Sequence, residues 1–187
     1  MLPVNTKVYR VKNKQARVFA SFLVHQLPHM AEYAVLTLST GRRLFISSEV
    51  GAQRALDIHA NIGGVVSLSE PKTPLIATQG TQVDFFKFDR VYMDGEQLPR
   101  DQLDAAIKFM HSCFESHKDV LVHCCLGKSR TPYVVVCYLM KHQSMSYGTA
   151  IARLRNLWPR TAMNYVYEAA IRPLGRTRSQ SRLLFDS

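Results

Sequence analysis

The sequence predicts an α/β protein with a single layered domain, in which helices flank a central, largely parallel (mixed) sheet of about five strands. Short apolar runs alternate with longer segments whose apolar residues recur at helical spacing. A chain of 187 residues, 47% of them hydrophobic, is long enough for one well-buried domain and too apolar to be disordered. No apolar run approaches the roughly 20 residues that span a bilayer.

The predicted elements follow one another in this alternating order. Residues 33–38 and 43–47 flank Ser39-Thr40-Gly41, a pattern that predicts a hairpin. After the hairpin we expect a helix at 53–61, buried strands at 64–68 and 83–88, and an amphipathic helix at 103–114. A further buried strand is expected at 120–122, followed by three helices at 132–142, 147–157 and 164–171.

The most informative stretch lies between the predicted strand 120–122 and the helix 132–142. It places a cysteine at the carboxyl end of a strand, where parallel sheets bind ligands, and an arginine where the helix begins. The inward backbone N–H groups of such a curled loop, together with the positive end of the helix dipole, bind anions. The stretch reads His123-Cys124-Cys125-Leu126-Gly127-Lys128-Ser129-Arg130-Thr131.

Three residues of this stretch suit a reaction at a phosphate. Gly127 permits a backbone angle that a side chain would oppose. Arg130 offers a planar fork that holds two phosphate oxygens at once. Cys124 lies in the positive potential of the loop, which favours its thiolate, and a thiolate beneath a bound phosphate can attack phosphorus directly.

The stretch matches H-C-x5-R-[S/T] and resembles the cysteine-based protein tyrosine phosphatase superfamily, with its phosphatase P-loop between strand and helix. A run of the form Tyr-Leu-Met-Lys-x-x-x-Met-Ser at 138–146 is similar to the dual-specificity branch. The resemblance covers about residues 42–172 and is strongest from Leu98 onward. It implies hydrolysis of phosphate monoesters on phosphotyrosine and phosphoserine/phosphothreonine proteins through a cysteinyl-phosphate intermediate, with no cofactor and no metal.

The resemblance also implies roles for the residues of the stretch. Cys124 is the nucleophile, Arg130 binds the phosphate, and Thr131 hydrogen-bonds the sulfur and stabilises it as it leaves. His123 orients the loop through backbone hydrogen bonds, without acting as an acid or a base. The substrate-binding residues are expected to be His123, Cys125, Leu126, Gly127, Lys128 and Ser129.

The family uses an aspartic acid on a mobile loop to protonate the leaving oxygen. Asp94 lies thirty residues before Cys124, within one or two of the usual family distance, and Gly95 beside it would allow the loop to move. Asp89 lies thirty-five residues before Cys124 and is the alternative. We therefore expect Asp94 to be the general acid and keep Asp89 as the second candidate.

The chain divides into three predicted parts. Residues 1–40 form an N-terminal extension that packs partly on the domain, 41–172 form the catalytic domain, and 173–187 form a basic, flexible tail. The net charge of +10, from 24 Lys+Arg against 14 Asp+Glu, is concentrated in 7–17 and in the tail. It predicts attraction to anionic partners, including peripheral contact with a membrane surface.

The expected partner of the domain is a phosphoprotein substrate. Nucleic acid is disfavoured as a partner, because aromatic residues are not interleaved with the arginines of the tail. The N-terminus lacks the pattern of a secretory signal, which predicts an intracellular protein, in the cytoplasm or the nucleus.

Other substrates and another class of function stay open. Lys128 gives the loop a G-K-x-R-T pattern similar to phosphoinositide phosphatases of the tensin-homologue type, so inositides or other polyphosphates, including RNA 5′-phosphates, are the alternative. A non-enzymatic phosphate-binding module is the third hypothesis, but such relatives usually lack the cysteine or the arginine, and both are present.

Four cysteines show neither a disulfide framework nor paired metal-ligand spacing: Cys113, Cys124, Cys125 and Cys137. Cys125 is either a variable loop residue or a redox partner for the neighbouring nucleophile.

Overall fold

The structure, a computed structural model, describes residues 32–70, 74–78, 80 and 82–171. The basic segment 7–17 and the tail 173–187 lie outside the described residues, as do residues 1–31 of the predicted N-terminal extension 1–40. The elements are β1 (Tyr33–Thr37), β2 (Arg43–Ser48), α1 (Glu49–Ile58), β3 (Ile62–Ser67), β4 (Asp84–Lys87), α2 (Arg100–Glu115), β5 (Asp119–Cys124), α3 (Arg130–His142), α4 (Tyr147–Leu157) and α5 (Tyr165–Ile171).

Five strands form one sheet in the order β1-β2-β5-β3-β4. The β1–β2 pair is antiparallel, as the predicted hairpin requires, and the other three pairs are parallel. The predicted mixed, largely parallel sheet is therefore confirmed. Because β2, β3 and β5 run in the same direction, their carboxyl ends meet at one edge, where Ser48 lies beside Cys124 and Ser67 lies beside His123.

The first helix was misplaced by the sequence interpretation. Helix α1 occupies Glu49–Ile58, whereas the apolar pattern predicted 53–61. Its start is set by Ser48, whose side chain accepts a hydrogen bond from Gly51 N, so that the helix follows β2 without a loop. Glu49 in the first turn complements the helix dipole.

Both faces of the sheet are covered by side chains. On β5, Val120 and Val122 belong to the larger core, which includes apolar residues of α2, α3, α4 and α5, whereas Leu121 belongs to the smaller core on the α1 side. This alternation is the period-two pattern of a strand, and burial on both faces is typical of parallel sheets. The carboxyl edge of the sheet is left as the place where a site can form. No helix in the described part of the chain is long and apolar enough to cross a membrane.

Stacked imidazoles of His111 and His142 join α2 to α3, with ring centroids 4.0 Å apart and 25° between the planes. Burial, followed by the neighbouring His111 and Lys141, lowers the pKa of His142 from its ordinary 6.5 to about 4. The buried Nε2 of His142 has no hydrogen-bond partner in the described part of the chain. The folded state therefore keeps this ring neutral at pH values where the unfolded chain protonates it.

We expect the stability of the fold to decrease as the pH falls through this window. Because the folded pKa of His142 lies below the unfolded value, its contribution is complete above pH 6.5 and is lost progressively toward pH 4. The urea midpoint should fall between pH 7 and pH 5, and it should fall less in His142→Phe, which keeps an aromatic ring in the stack. His117→Asn, which removes an exposed histidine, should retain the wild-type pH dependence. Parallel curves for wild type and His142→Phe would contradict the assignment.

Candidate active site

The predicted phosphate loop follows β5 and curls around the sulfur of Cys124. This thiol is free and almost fully buried, 2% exposed, at the end of the central strand. The backbone N–H of Gly127 donates to Cys124 Sγ at 3.2 Å. Helix α3 begins at Arg130, two residues before the range 132–142 predicted from the apolar pattern. The positive end of its dipole therefore lies next to the loop. The loop therefore has the form expected of an anion cradle.

Gly127 is required by its surroundings as well as by its conformation. Its φ of +68° lies in the left-handed region. A Cβ added at this position would lie 2.7 Å from Ser47 O and 2.9 Å from Ser48 N at the end of β2. Any larger residue would push the loop away from the sheet edge and move the amide that contacts the sulfur.

The outer side of the loop is held by a segment that the sequence interpretation did not include in the site. Trp158 Nε1 donates to Gly127 O at 2.8 Å, and Ala162 N donates to Lys128 O at 2.9 Å. Asn164 N donates to Ser129 Oγ at 2.9 Å. The sequence carries one signal for this contact, its single tryptophan, because a buried indole N–H needs an acceptor.

Arg130 links the loop to two other parts of the chain. Its Nη1 donates to Leu68 O at 2.9 Å, just beyond β3, and to Tyr92 O at 2.6 Å. Both bonds come from one nitrogen of the fork, which leaves the Nε and Nη2 donors without a hydrogen bond to the described residues. The guanidinium thus connects the phosphate loop with the segment that carries both candidate acids.

His123 was expected to orient the loop through backbone hydrogen bonds, without acting as an acid or a base. The ring is fully buried, and neither ring nitrogen has a hydrogen-bond partner in the described part of the chain. Burial, followed by the charge of Lys87, lowers the pKa of His123 to about 4, so the ring is neutral near pH 7. His123 acts through its backbone instead, because its carbonyl accepts from Leu68 N at 2.9 Å.

Thr131 does not make its expected hydrogen bond to the sulfur of Cys124. Its Oγ1 is buried and has no hydrogen-bond partner among the residues that the structure describes, so the bond to Cys124 Sγ is not formed. Thr131 lies at the second residue of α3 and is fully buried. Any contact of its hydroxyl with the sulfur would require a rotation of this side chain.

Asp94 lies at the tip of a short loop whose two sides are tied together. Arg90 forms an ion pair with Glu96, and Glu96 Oε2 also accepts from Met93 N at 3.0 Å. Glu96 N donates to Met93 O at 3.1 Å and closes the turn around Asp94 and Gly95, whose φ is +90°. We call residues 89–96 the acid loop. The Asp94 carboxyl is exposed at its tip.

Asp89, the second candidate acid, has its carboxylate occupied. Its Oδ1 accepts from the Tyr92 hydroxyl and from Arg90 N, both at 2.8 Å. Hydrogen bonds from Gln102, and then from Tyr92, hold the pKa of Asp89 below its ordinary 3.8. A general acid must carry a proton at the working pH, so this environment makes Asp89 the less suitable of the two candidates.

Tyr167 is the second residue that the sequence interpretation missed. It lies on α5, is fully buried, and its pKa is raised to about 12, chiefly by burial. The charges of Asp94, Arg130 and Cys124 all act on this pKa. Contact between the phosphate loop and the loop that carries Asp94 is made by Arg130, whose Nη1 donates to Tyr92 O.

The remaining loop residues differ in exposure. Cys125, Leu126 and Lys128 are exposed, whereas Ser129 is buried. The backbone carbonyl of Cys125 accepts from Glu49 N at 3.2 Å, which ties the loop to the start of α1.

A comparison with protein families agrees with this geometry. Residues 44–173 match the model of the dual specificity phosphatase catalytic domain, which is more than half of the chain. The chain belongs to this family. The match begins at the second residue of β2, in the strand that contacts Gly127, and extends past α5.

Curated relatives of this dual specificity phosphatase domain have more than one named substrate. Phosphatidylglycerophosphate phosphatase PTPMT2 of Arabidopsis thaliana is 28% identical over 127 residues, which are 63% of this chain and 53% of that protein. Protein-tyrosine-phosphatase IBR5 of the same plant is 57% identical over 42 residues, 22% and 16% of the two chains. Human dual specificity protein phosphatase CDC14A is 30% identical over 95 residues, which are 51% of this chain and 15% of that protein. The chain spans about half or less of the length of these relatives.

Solved structures show the same fold. Human DUSP28 has a TM-score of 0.64 at 20% identity, covering 79% of this chain and 95% of that chain. PTPMT1 in complex with PI(5)P has a TM-score of 0.62 at 17% identity, covering 75% of this chain and 94% of that chain. Together they support the predicted single layered domain.

Proposed function

We propose that this chain hydrolyses phosphate monoesters on phosphotyrosine and phosphoserine/phosphothreonine proteins. The observation that carries the proposal is the phosphate loop itself: the amide of Gly127 donates to the buried sulfur of Cys124, and Arg130 joins this loop to the acid loop through Tyr92 O, two residues before Asp94. The dual specificity family and the protein phosphatases among the relatives support the same activity.

The reaction has two steps. In the first, the Cys124 thiolate attacks phosphorus, the S–P bond forms, the P–O bond breaks, and Asp94 gives its proton to the leaving oxygen. In the second, the Asp94 carboxylate takes a proton from water, the water oxygen attacks phosphorus, and the S–P bond breaks to return the thiolate. Arg130 and the loop amides stabilise the charge on the phosphoryl oxygens in both steps.

The surroundings of the loop favour a phosphoprotein over a multiply phosphorylated ligand. Leu126 on the loop is 61% exposed, and Met93, next to the residue whose carbonyl binds Arg130, is 71% exposed. Tyr165, next to the residue that binds Ser129, is 79% exposed. These apolar side chains suit the flanking residues of a peptide, whereas several phosphates would need several cations.

A second candidate substrate rests on Lys128, which is exposed on the loop. This cation could meet an additional phosphate of an inositide or another polyphosphate, and the names of PTPMT2 and of the PTPMT1 complex show that lipid phosphates occur among similar proteins. The lysine is alone between Cys124 and Arg130, so it offers one further charge rather than a cationic surface.

A turnover panel tests the choice. The wild-type chain is compared on phosphotyrosine and phosphothreonine peptides, PI(5)P, phosphatidylglycerophosphate and 5′-triphosphate RNA, with Cys124→Ser as the control for contaminating phosphatases. We expect the highest kcat/KM on a phosphopeptide. A higher value on a lipid would replace the proposed substrate, and binding without turnover on every substrate would favour the non-enzymatic module.

Lys128→Ala should lower kcat/KM modestly and similarly on all phosphopeptides. One exposed cation contributes little in a high dielectric. We expect the ratio of lipid to phosphotyrosine-peptide activity to move less than about tenfold, or 1.4 kcal/mol. Lys108→Ala, at an exposed position of α2, is the matched control. A selective loss on the lipid that grows at low salt would point to the polyphosphate alternative.

We place this activity inside the cell. All four cysteines are free, and one of them is the proposed nucleophile, which must remain a thiol. The basic segments predicted to attract anionic partners would then act on phosphoproteins or on an anionic membrane surface.

A further inference from the structure

The ring of Tyr167 has a fixed position relative to the phosphate loop. It stacks on the ring of Tyr133, with centroids 4.6 Å apart and 19° between the planes. Tyr133 lies in the first turn of α3, where its N–H donates to Ser129 O at 3.0 Å. Because Tyr167 is fully buried and stacks on Tyr133, its ring is held against helix α3, which begins at the phosphate loop.

The hydroxyl of Tyr167 reaches the acid loop. It donates to Glu96 O at 2.9 Å, two residues beyond Asp94. Asn164, which precedes α5, packs against the neighbouring residue, since a Cβ added to Gly95 would lie 3.1 Å from Asn164 Nδ2. The acid loop therefore contacts this part of the chain at two consecutive residues. On the other side of Asp94, the Tyr92 carbonyl of the acid loop accepts a hydrogen bond from Arg130.

We propose that Tyr167 is a positioning residue for general acid catalysis, whose hydroxyl holds the acid loop so that Asp94 faces the phosphate loop. The inference rests on the proposed function. It extends that function because Tyr167 touches neither phosphate nor leaving group in the reaction as written. Without the hydroxyl, Glu96 O loses a buried donor, the tip of the loop moves more freely, and Asp94 spends less time at the leaving oxygen.

Tyr167→Phe tests this role, because phenylalanine keeps the stacked ring and removes one hydroxyl. With phenyl phosphate, whose leaving group needs a proton, kcat should fall about 3- to 10-fold, in line with one lost hydrogen bond. KM should change little, and 2,4-dinitrophenyl phosphate should be hydrolysed at nearly the wild-type rate. An equal loss on both substrates would overturn the inference.

The double variant Asp94→Asn/Tyr167→Phe sharpens the test. If Tyr167 acts only through Asp94, its replacement should add no further loss once the acid is gone. A full additional loss would show that Tyr167 supports the fold of the site in another way. Tyr138→Phe is the matched control, since Tyr138 is 1% exposed, lies on helix α3 with Tyr133, and stacks on His142 instead of on Tyr167. It should keep the wild-type ratio of the two substrates.

Amide hydrogen exchange gives a measurement that does not depend on turnover. A peptide spanning 90–98 reports the acid loop, and its exchange should be faster in Tyr167→Phe than in wild type and Tyr138→Phe. Unchanged exchange would overturn the positioning role whatever the activity. A wild-type protein without turnover, but with the exchange difference, would contradict the proposed function and leave the loop contact established.

Discussion

Cys124→Ser should abolish turnover while leaving the binding of phosphorylated substrate largely intact. The sulfur lies at the end of β5 with the amide of Gly127 at 3.2 Å, in a loop whose other donors remain in the variant. A serine hydroxyl is held as a neutral, much weaker nucleophile in the same place. The expected loss in kcat is on the order of 10⁶, as is usual when a covalent catalyst loses its nucleophile.

The measurement combines single-turnover kinetics with titration of a phosphotyrosine peptide into the inactive variant. Wild type should accumulate phosphate on Cys124 after rapid acid quench, and vanadate should inhibit, because it adopts the geometry of the transition state. Cys125→Ser is the matched control: its side chain is exposed and only its backbone ties the loop to α1, so it should still turn over substrate. Activity retained in Cys124→Ser but lost in Cys125→Ser would move the nucleophile by one residue.

The local part of the site could be predicted from the sequence because its chemistry is contiguous. Cys124, Gly127 and Arg130 lie within one strand–loop–helix, and a buried strand followed by a helix leaves little freedom for the loop between them. The fold class followed from the alternation of apolar runs, which the five-stranded sheet confirms. The start of α1 was missed because Ser48 serves both as the last residue of a strand and as a helix cap.

The distant part of the site could not be predicted, since it depends on tertiary contacts. Nothing in the local pattern places Trp158 on Gly127 O or the Tyr167 hydroxyl on Glu96 O. The same limit applies to the His123 ring, because its burial as a neutral group without a hydrogen-bond partner among the described residues depends on the elements packed around it. Spacing alone also left Asp89 and Asp94 as alternatives, and the hydrogen bonds of Asp89 are tertiary information that favours Asp94.

Asp94→Asn should lower kcat about 10²–10⁴-fold on substrates with poor leaving groups. The carboxyl is exposed at the tip of the acid loop, and its charge is felt at Tyr167 together with those of Arg130 and Cys124. Asparagine has the same shape but no proton to give, so the alkaline limb of the pH profile, which reports loss of the acid proton, should flatten. The loss should shrink for 2,4-dinitrophenyl phosphate, because its leaving group departs without protonation.

The matched control is Asp89→Asn, measured over the same pH range and with the same two substrates. Asparagine at this position keeps an oxygen that can accept from Tyr92 and Arg90, so we expect a modest loss that is equal for both leaving groups. A loop that has merely lost stiffness slows both reactions alike, whereas a missing proton slows only the one that needs it. If Asp89→Asn shows the dependence on leaving group and Asp94→Asn does not, the general acid is Asp89. The ion pair and hydrogen bonds that close the acid loop around Asp94 would then have a role other than general acid catalysis.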